Sequence, residues 1–544
     1  LYMNEKFFKI GLIAVFSIFF TYFVFSAFTN MVTIPFHDFD EAHRAEKAKR
    51  MKEYFSFLVP LTGSPQDRNN DLKIPLREND NLYLYYHPER PPLVYWLMIT
   101  STSIFGTDEW AYRLPSFLMA ISTLALLLIS TLLFSKKFLS KHKIIIIASS
   151  LGLLTAITSS DLWLSGQYAQ LDTTLTFFLA LYLLSLIFYC QLKKPYLLVI
   201  SGLSLALAIL GKGQPAIIFL FPLIYLLCSQ RLKRKDFIRF CLFASVILVP
   251  WLILLSIFFS LEKFLTIFSQ FAASSAVIEF SHIKAPFFWY IRWFWDSLRP
   301  GWTLFIALLL LDILRRRLDW RKKTLLSYIL GGIIFFSLSV NKIWWYVLPI
   351  VPAIAYYIFL SIYDYLRRNK DRLLNLSLAL SLASFPIFLL SSNKVTLLYG
   401  VSIVALVFLI LYLPPPRLLT RLREIIFICA ITVSLLSFVL NFPKIVPYHF
   451  YTKDVAEYFK NLPGKKCLWV KDMPSEAALF YSNVGEIILL TEGANLFPDC
   501  QNFLIAPMDI INDDLTYIYN GMNENLKNRE LIFKKGNIRL YKLD

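Results

Sequence analysis

Charged side chains are scarce in this chain of 544 residues, at 17%, where a soluble globular protein carries about a quarter. Glycine is scarce as well, 17 residues against 49 phenylalanines, which excludes collagen-like and disordered classes. Six cysteines in a chain of this length exclude a small disulfide scaffold. No CxxC pair, HExxH, Walker A or GxGxxG occurs, so the usual signatures of soluble metal, protease and nucleotide sites are absent. What is there is apolar: 57% of residues are hydrophobic and the mean hydropathy is +0.56. Length alone would give three or four domains of about 150 residues. Composition overrules that and reads as a polytopic helical membrane protein. The net charge of +18 then points to anionic headgroups and sorting of Lys and Arg to one membrane face, not to nucleic acid.

A span needs about 20 largely apolar residues. Thirteen runs qualify, near 8–29, 114–134, 144–160, 172–191, 196–211, 214–229, 240–260, 302–314, 325–341, 344–363, 374–391, 395–413 and 425–442. Those near 144, 196, 214 and 302 are short enough to be tilted or partly re-entrant. The first follows Lys6 and Lys9 without a small-residue cleavage site, so it reads as a retained signal anchor. Every second loop is basic, for example Arg231/Lys233/Arg234/Lys235/Arg239 and Arg315/Arg316/Arg317/Arg321/Lys322/Lys323, and these loops hold 24 Lys and Arg. The positive-inside rule puts them and the N-terminus in the cytoplasm. An odd span count then puts the C-terminus outside, which for a bacterial inner membrane is the periplasm.

Residues 1–442 are thus expected to form a transmembrane catalytic domain with outside loops 30–113 and 261–301, and 443–544 a small periplasmic α/β domain. Loop 30–113 is expected to form short amphipathic helices on the membrane surface. In the tail, 453–461 and 475–482 read as helices; 467–470, 486–490, 503–506 and 532–543 read as strands. Cys190, Cys228, Cys241 and Cys429 fall in or beside spans as small apolar residues. Cys467 and Cys500 are the only pair in the outside tail, either disulfide-bonded or two buried thiols.

Outside loops hold few charges, and charge at membrane depth marks function by default. His37-Asp38-Phe39-Asp40-Glu41 sets three carboxylates beside the first span, fit to orient an acceptor, act as a base or bind a cation, or to cap a helix. Glu89-Arg90-Pro91-Pro92 presents an arginine suited to phosphate on a rigid diproline. Asp172 opens a span, as an N-cap or as a functional carboxylate. Lys212, in Gly211-Lys212-Gly213-Gln214-Pro215, and Lys342 are lone outward lysines, and Tyr346 follows Lys342 by one helical turn. His282 lies in the second outside loop as a packed residue or a ligand. Cations Arg90, Lys212 and Lys342 with carboxylates Asp40 and Asp172 at a lipid boundary fit a polyprenyl phosphate carrying a sugar. Cations stabilise a leaving phosphate, and carboxylates serve sugar hydroxyls and the anomeric carbon.

On these residues the chain resembles the protein O-mannosyltransferase-like superfamily of GT-C glycosyltransferases, most closely the bacterial lipid A aminoarabinose transferases and related lipid A or core sugar transferases. Asp40-Glu41 is similar to the family's acidic pair, with Asp40 at the principal catalytic aspartate. Glu89-Arg90-Pro91-Pro92-Leu93-Val94-Tyr95-Trp96 resembles its diproline segment. Ala111-Tyr112-Arg113-Leu114-Pro115-Ser116, Leu171-Asp172, Gly211-Lys212-Gly213 and Lys342 with Tyr346-Val347-Leu348-Pro349 resemble the motifs that follow. The family usually has lysine where Arg90 stands, and Gln214 intrudes before Pro215. The resemblance implies catalytic roles for Asp40, Asp172 and Glu41, and donor-phosphate binding by Arg90, Lys212, Lys342 and Tyr346. It also implies that Glu89 and His282 can hold a zinc ion, although no cofactor is required.

The expected function is inverting transfer of a sugar from an undecaprenyl phosphate donor to lipid A or core lipopolysaccharide on the periplasmic face. A protein O-glycosyltransferase using the same donor class is the alternative. A lipid-sugar transporter fits less well, because no inverted repeat is visible and the charges cluster outside instead of at the midplane.

Overall fold

The computed structural model describes residues 5–36, 40–63, 73–76, 79–87, 90–137, 142–213, 215–259, 285–298, 301–338, 342–368, 417–440, 442–443, 451–471, 475–482, 484, 487–489, 494–497, 500–507, 516–519, 522–525 and 529–543. They fall into two compact units. The first comprises 1–29, 116–166 and 171–444; the second comprises 30–115, 167–170 and 445–544. Loop 30–113 thus belongs with the tail and not with the spans, so the expected boundary at 442/443 does not separate the units.

The first unit is helical. α1 (Glu5–Thr33), α4 (Glu109–Lys137), α7 (Asp172–Leu192), α8 (Pro195–Lys212) and α11 (Arg234–Phe259) are each long and apolar enough to cross a membrane. The same holds for Trp344–Arg367, which joins a 3-10 turn (Trp344–Val347) to α15 (Ile350–Arg368). α5 (His142–Ile157) and α6 (Ser160–Gln167) meet at a 51° bend and add a seventh span if taken together. The run at 214–229 is split into α9 (Pro215–Ile218) and α10 (Phe221–Cys228), each opening on or next to a proline. α13 (Gly301–Leu314) is likewise short, and α14 (Trp320–Leu338) and α16 (Arg417–Leu440) cover two more runs. The expected spans at 374–391 and 395–413 lie outside the described residues.

Small residues let helices approach closely. A methyl group on Gly202 would lie 2.8 Å from the Phe240 carbonyl oxygen, and one on Gly152 would lie 2.8 Å from that of Ala355. One polar clamp centres on the buried pair Lys322 and Asp312. Lys322 of α14 meets Asp312 of α13 at 3.0 Å and Asp364 of α15 at 3.2 Å, while Tyr357 and Ser361 donate to Asp312 at 2.9 and 2.7 Å. Lys322 sits in the basic loop that sets topology, yet its charge is neutralised inside the bundle.

In the second unit α2 (Asp40–Glu53) packs on α3 (Leu93–Phe105) and on α18 (Ser475–Ser482). Between α2 and α3 the expected surface helices give way to a sheet: β1 (Leu61–Thr62), β3 (Asn79–Tyr86) and β2 (Lys73–Leu76) lie antiparallel in that order. Pro75 is tolerated because β2 is an edge strand. The sheet forms because Leu61 and Leu84 share a core with Trp469, Leu504, Ala506 and Tyr541 of the tail, burial that helices lying on lipid could not reach.

The tail follows its expected pattern. α17 (Thr452–Lys460) precedes β4 (Lys466–Val470), and α18 connects β4 to its parallel neighbour β5 (Ile487–Leu489). β7 (Gln501–Pro507) lies parallel to β4 on the other side. The hairpin of β10 (Glu530–Lys535) and β11 (Ile538–Lys542) completes the order β10-β11-β7-β4-β5. A smaller sheet holds β6 (Ala494–Asn495), β8 (Thr516–Tyr519) and β9 (Met522–Asn525).

Cys467 and Cys500 are joined in a disulfide across 33 positions, which resolves the choice left open by the sequence. Such a loop closure stabilises by about 2–4 kcal/mol. Cys467→Ser is therefore expected to speed amide exchange in β4 and β7 markedly; unchanged exchange there would contradict a stabilising role for the bond.

Candidate functional site

Each unit carries its own cluster of the expected residues. In the first, Asp172 is the first residue of α7, and the N-cap position belongs to Leu171 with no side-chain cap bond. Asp172 is not a cap. Its Oδ1 accepts from Lys212 Nζ, the last residue of α8, where Gly213 at φ +79° ends the helix and turns the chain. The Asp172 side chain is buried, at 1% exposure, and that of Lys212 is partly buried, at 9%. The Lys212 ammonium also lies 4.7 Å from the centre of the Tyr346 ring, a cation–π contact.

Tyr346 thus partners Lys212, although it was expected to share a helical face with Lys342. The reason is a helix break. α14 ends at Leu338 and the 3-10 turn begins at Trp344, so Lys342 stands in irregular chain and donates to the Ser337 carbonyl at 2.9 Å. α12 (Trp289–Ser297) braces that chain. The Tyr290 hydroxyl donates to the Ile343 carbonyl at 3.1 Å and accepts the Ile343 N–H at 3.3 Å. Trp293 stacks on Trp344 at 6.1 Å and donates to Asp161 of α6 at 2.9 Å.

In the second unit Asp40 opens α2 and pairs with Arg44 one turn on, at 3.1 Å, with its side chain 37% exposed. Glu41 is different in kind. Arg113 grips it in a bidentate pair, Nε to Oε1 at 2.7 Å and Nη2 to Oε2 at 2.8 Å, and the Ala169 N–H donates to Oε1 at 2.8 Å. Arg113 spends its other donors on the carbonyls of Met31, Ile34 and Pro35, the strand of chain that leads to Asp40. From the tail, the Tyr481 hydroxyl accepts the Phe36 N–H at 2.8 Å and donates to Glu109 at 2.9 Å. Pro115, inside α4, lacks the N–H that would bond the Ala111 carbonyl, and the Ser101 hydroxyl takes its place at 2.6 Å.

Arg90 lies in an exposed turn after β3, its N–H donating to the His87 carbonyl at 3.0 Å, and the His87 N–H reaches Pro60 at 2.8 Å. His87 meets His43 of α2 edge to face, 6.2 Å between ring centres, so the Asp40 helix and the Arg90 turn are held side by side. Burial above all, then the charges of Lys47, His87, Arg90 and Arg44, push the His43 imidazole well below its ordinary range. It is a neutral group in a cationic setting. Asp38, Glu89 and His282 lie outside the described residues. Among the described residues no group of three or more His, Cys, Asp or Glu is arranged to hold a metal.

The sequence reading gave no role to Arg113 or Tyr290. Arg113 was visible within a matched motif, but only the fold shows that its partner is Glu41. Nothing in the sequence around Tyr290 points to Ile343.

Residues 89–254 match the family described as dolichyl-phosphate-mannose-protein mannosyltransferase. A crystal structure of ArnT from Cupriavidus metallidurans superposes with a TM-score of 0.62 over 97% of both chains, at 14% identity. The fold is that of a GT-C glycosyltransferase. The same ArnT has been solved bound to undecaprenyl phosphate, with the same TM-score. In sequence, an uncharacterized Aquifex aeolicus protein is 29% identical over 55% of this chain and 68% of its own length. The undecaprenyl phosphate-alpha-4-amino-4-deoxy-L-arabinose arabinosyl transferase of Wigglesworthia glossinidia brevipalpis is 25% identical over 53% of this chain and 51% of its own. The chain spans about half the length of the aminoarabinose transferases it matches.

Proposed function

We propose that this multi-pass membrane protein transfers a sugar from a polyprenyl phosphate to lipid A or core lipopolysaccharide, with inversion at the anomeric carbon. The observation that carries the reading is the Lys212 ammonium, held between the buried Asp172 carboxylate and the Tyr346 ring. An ammonium carries three donors and pairs with a phosphate oxygen by the same charge-assisted bond that it makes to a carboxylate. Lys342 supplies a further cation in the same unit.

In the reaction the bond between the anomeric carbon and the donor phosphate oxygen breaks while the acceptor oxygen bonds to the opposite face. The leaving polyprenyl phosphate gains a negative charge, which Lys212 and Lys342 stabilise as it develops. Asp40 serves the acceptor. An acceptor phosphate is already ionised and needs only orienting, whereas a hydroxyl acceptor would pass its proton to Asp40. Glu41, with both oxygens engaged, positions Asp40 by fixing the start of α2. A zinc ion at Glu89 and His282 is not required by this scheme.

The family match names protein mannosyltransferases, and that favours a second acceptor, a protein Ser or Thr. An assay with purified protein and labelled polyprenyl-phosphate sugars, offering lipid A in one arm and a Ser/Thr peptide in the other, decides between them. Label on lipid A is the expected result; label only on the peptide would move the reading to the second acceptor, and label on neither would refute both.

A further inference from the structure

The first turn of α7 leaves three polar atoms without hydrogen-bond partners. Asp172 Oδ2, Thr173 Oγ1 and Thr174 Oγ1 are buried, and all three residues are 0% exposed. Thr176, in the same helix, does what a helical threonine ordinarily does: its hydroxyl donates to the carbonyl four residues back, that of Asp172, at 2.7 Å. Thr173 and Thr174 cannot copy it, because the residues four positions before them precede the helix. Buried hydroxyl and carboxylate oxygens are rarely left unmatched, so this turn calls for a ligand.

Two of the three residues border the Lys212 end of α8. Asp172 Oδ1 takes the Lys212 ammonium, and a methyl group placed on Gly211 would lie 3.5 Å from the Thr174 side-chain methyl. Thr174 therefore faces the same end of α8 that carries the phosphate-binding lysine.

The atoms also define the ligand's chemistry. A carboxylate oxygen only accepts hydrogen bonds, and so does an ionised phosphate diester, which is negative besides. Asp172 Oδ2 repels such a phosphate and requires an O–H or N–H. A threonine hydroxyl both donates and accepts, as a sugar hydroxyl does. We propose that Asp172 Oδ2 and Thr174 Oγ1 form the edge that recognises the sugar ring of the donor, with the phosphate on the Lys212 side. The inference rests on the polyprenyl-phosphate reading above and deepens it: Asp172 serves the donor sugar and not the acceptor, and Thr174 helps set which sugar is taken.

The test measures affinities of the full-length protein in nanodiscs for decaprenyl phosphate and for decaprenyl phosphates carrying mannose, glucose or 4-amino-4-deoxyarabinose. Wild-type protein is expected to bind at least one sugar-bearing lipid more tightly than decaprenyl phosphate. Thr174→Val should weaken that lipid about ten-fold, and Thr174→Ser should bring it back to within about three-fold. Decaprenyl phosphate should bind all three proteins equally. A Thr174→Val protein that loses both ligands alike, or neither, would overturn the sugar edge. So would wild-type protein that binds sugar-bearing lipids no more tightly than decaprenyl phosphate. Wild-type protein that binds none of these lipids would instead overturn the donor reading, and the edge with it.

Discussion

Asp40→Asn should lower the rate of sugar transfer by about 10³-fold while the protein folds and binds its donor normally. The size of the effect follows from chemistry. Aspartate and asparagine have the same shape, so the substitution removes charge and basicity alone. The normal folding follows from the structure. Asp40 is partly exposed, and an asparagine there keeps an amide oxygen that can still accept from Arg44, its i, i+4 partner. Losing the charge leaves α2 in place, because Glu41 and not Asp40 anchors that end. Initial rates of label transfer, read beside melting temperature and decaprenyl phosphate affinity, check the expectation. Transfer within ten-fold of wild type would remove Asp40 from the reaction.

Glu41→Ala should act in the opposite way, through the fold. The Glu41–Arg113 pair is buried and bidentate, and Arg113 binds three further carbonyls. Removing one partner strands a buried charge, which costs about 3–5 kcal/mol. Transfer should fall with stability, since the 31–36 segment that leads to Asp40 loses its anchor. Replacing both residues by leucine removes both charges. The double variant should therefore be destabilised by less than the sum of the single variants, measured as denaturation midpoints of all three. Additive losses would show that the pair does not act as a unit.

The contrast between these carboxylates was not legible in the sequence, where Asp40 and Glu41 stand side by side as equals. One turns to solvent and the other inward, and only Arg113, 72 positions away, reveals which is which. The tail was legible strand by strand because apolar alternation and turn residues there match the period of a half-buried sheet. The 61–86 sheet was missed for the reverse reason: β1 and β2 are short, Pro75 interrupts β2, and Leu61 and Leu84 are held by apolar partners in the tail. Tyr346 was assigned the wrong partner because i, i+4 spacing holds only within one helix, and the helix breaks between Leu338 and Trp344. The lone lysines were found because charge is expensive at membrane depth, whatever the fold. What each lysine touches depends on helix ends that hydropathy does not locate.

The central claim is that the lysine end of α8 holds a lipid phosphate. Decaprenyl phosphate binding tests it directly, using the charge-balanced variant Asp172→Asn/Lys212→Gln so that no charge is left stranded, with decaprenol as the phosphate-free control. Decaprenyl phosphate affinity should fall about 10- to 100-fold while decaprenol binding is unchanged. Decaprenyl phosphate bound as tightly by the variant as by the wild type would contradict the claim.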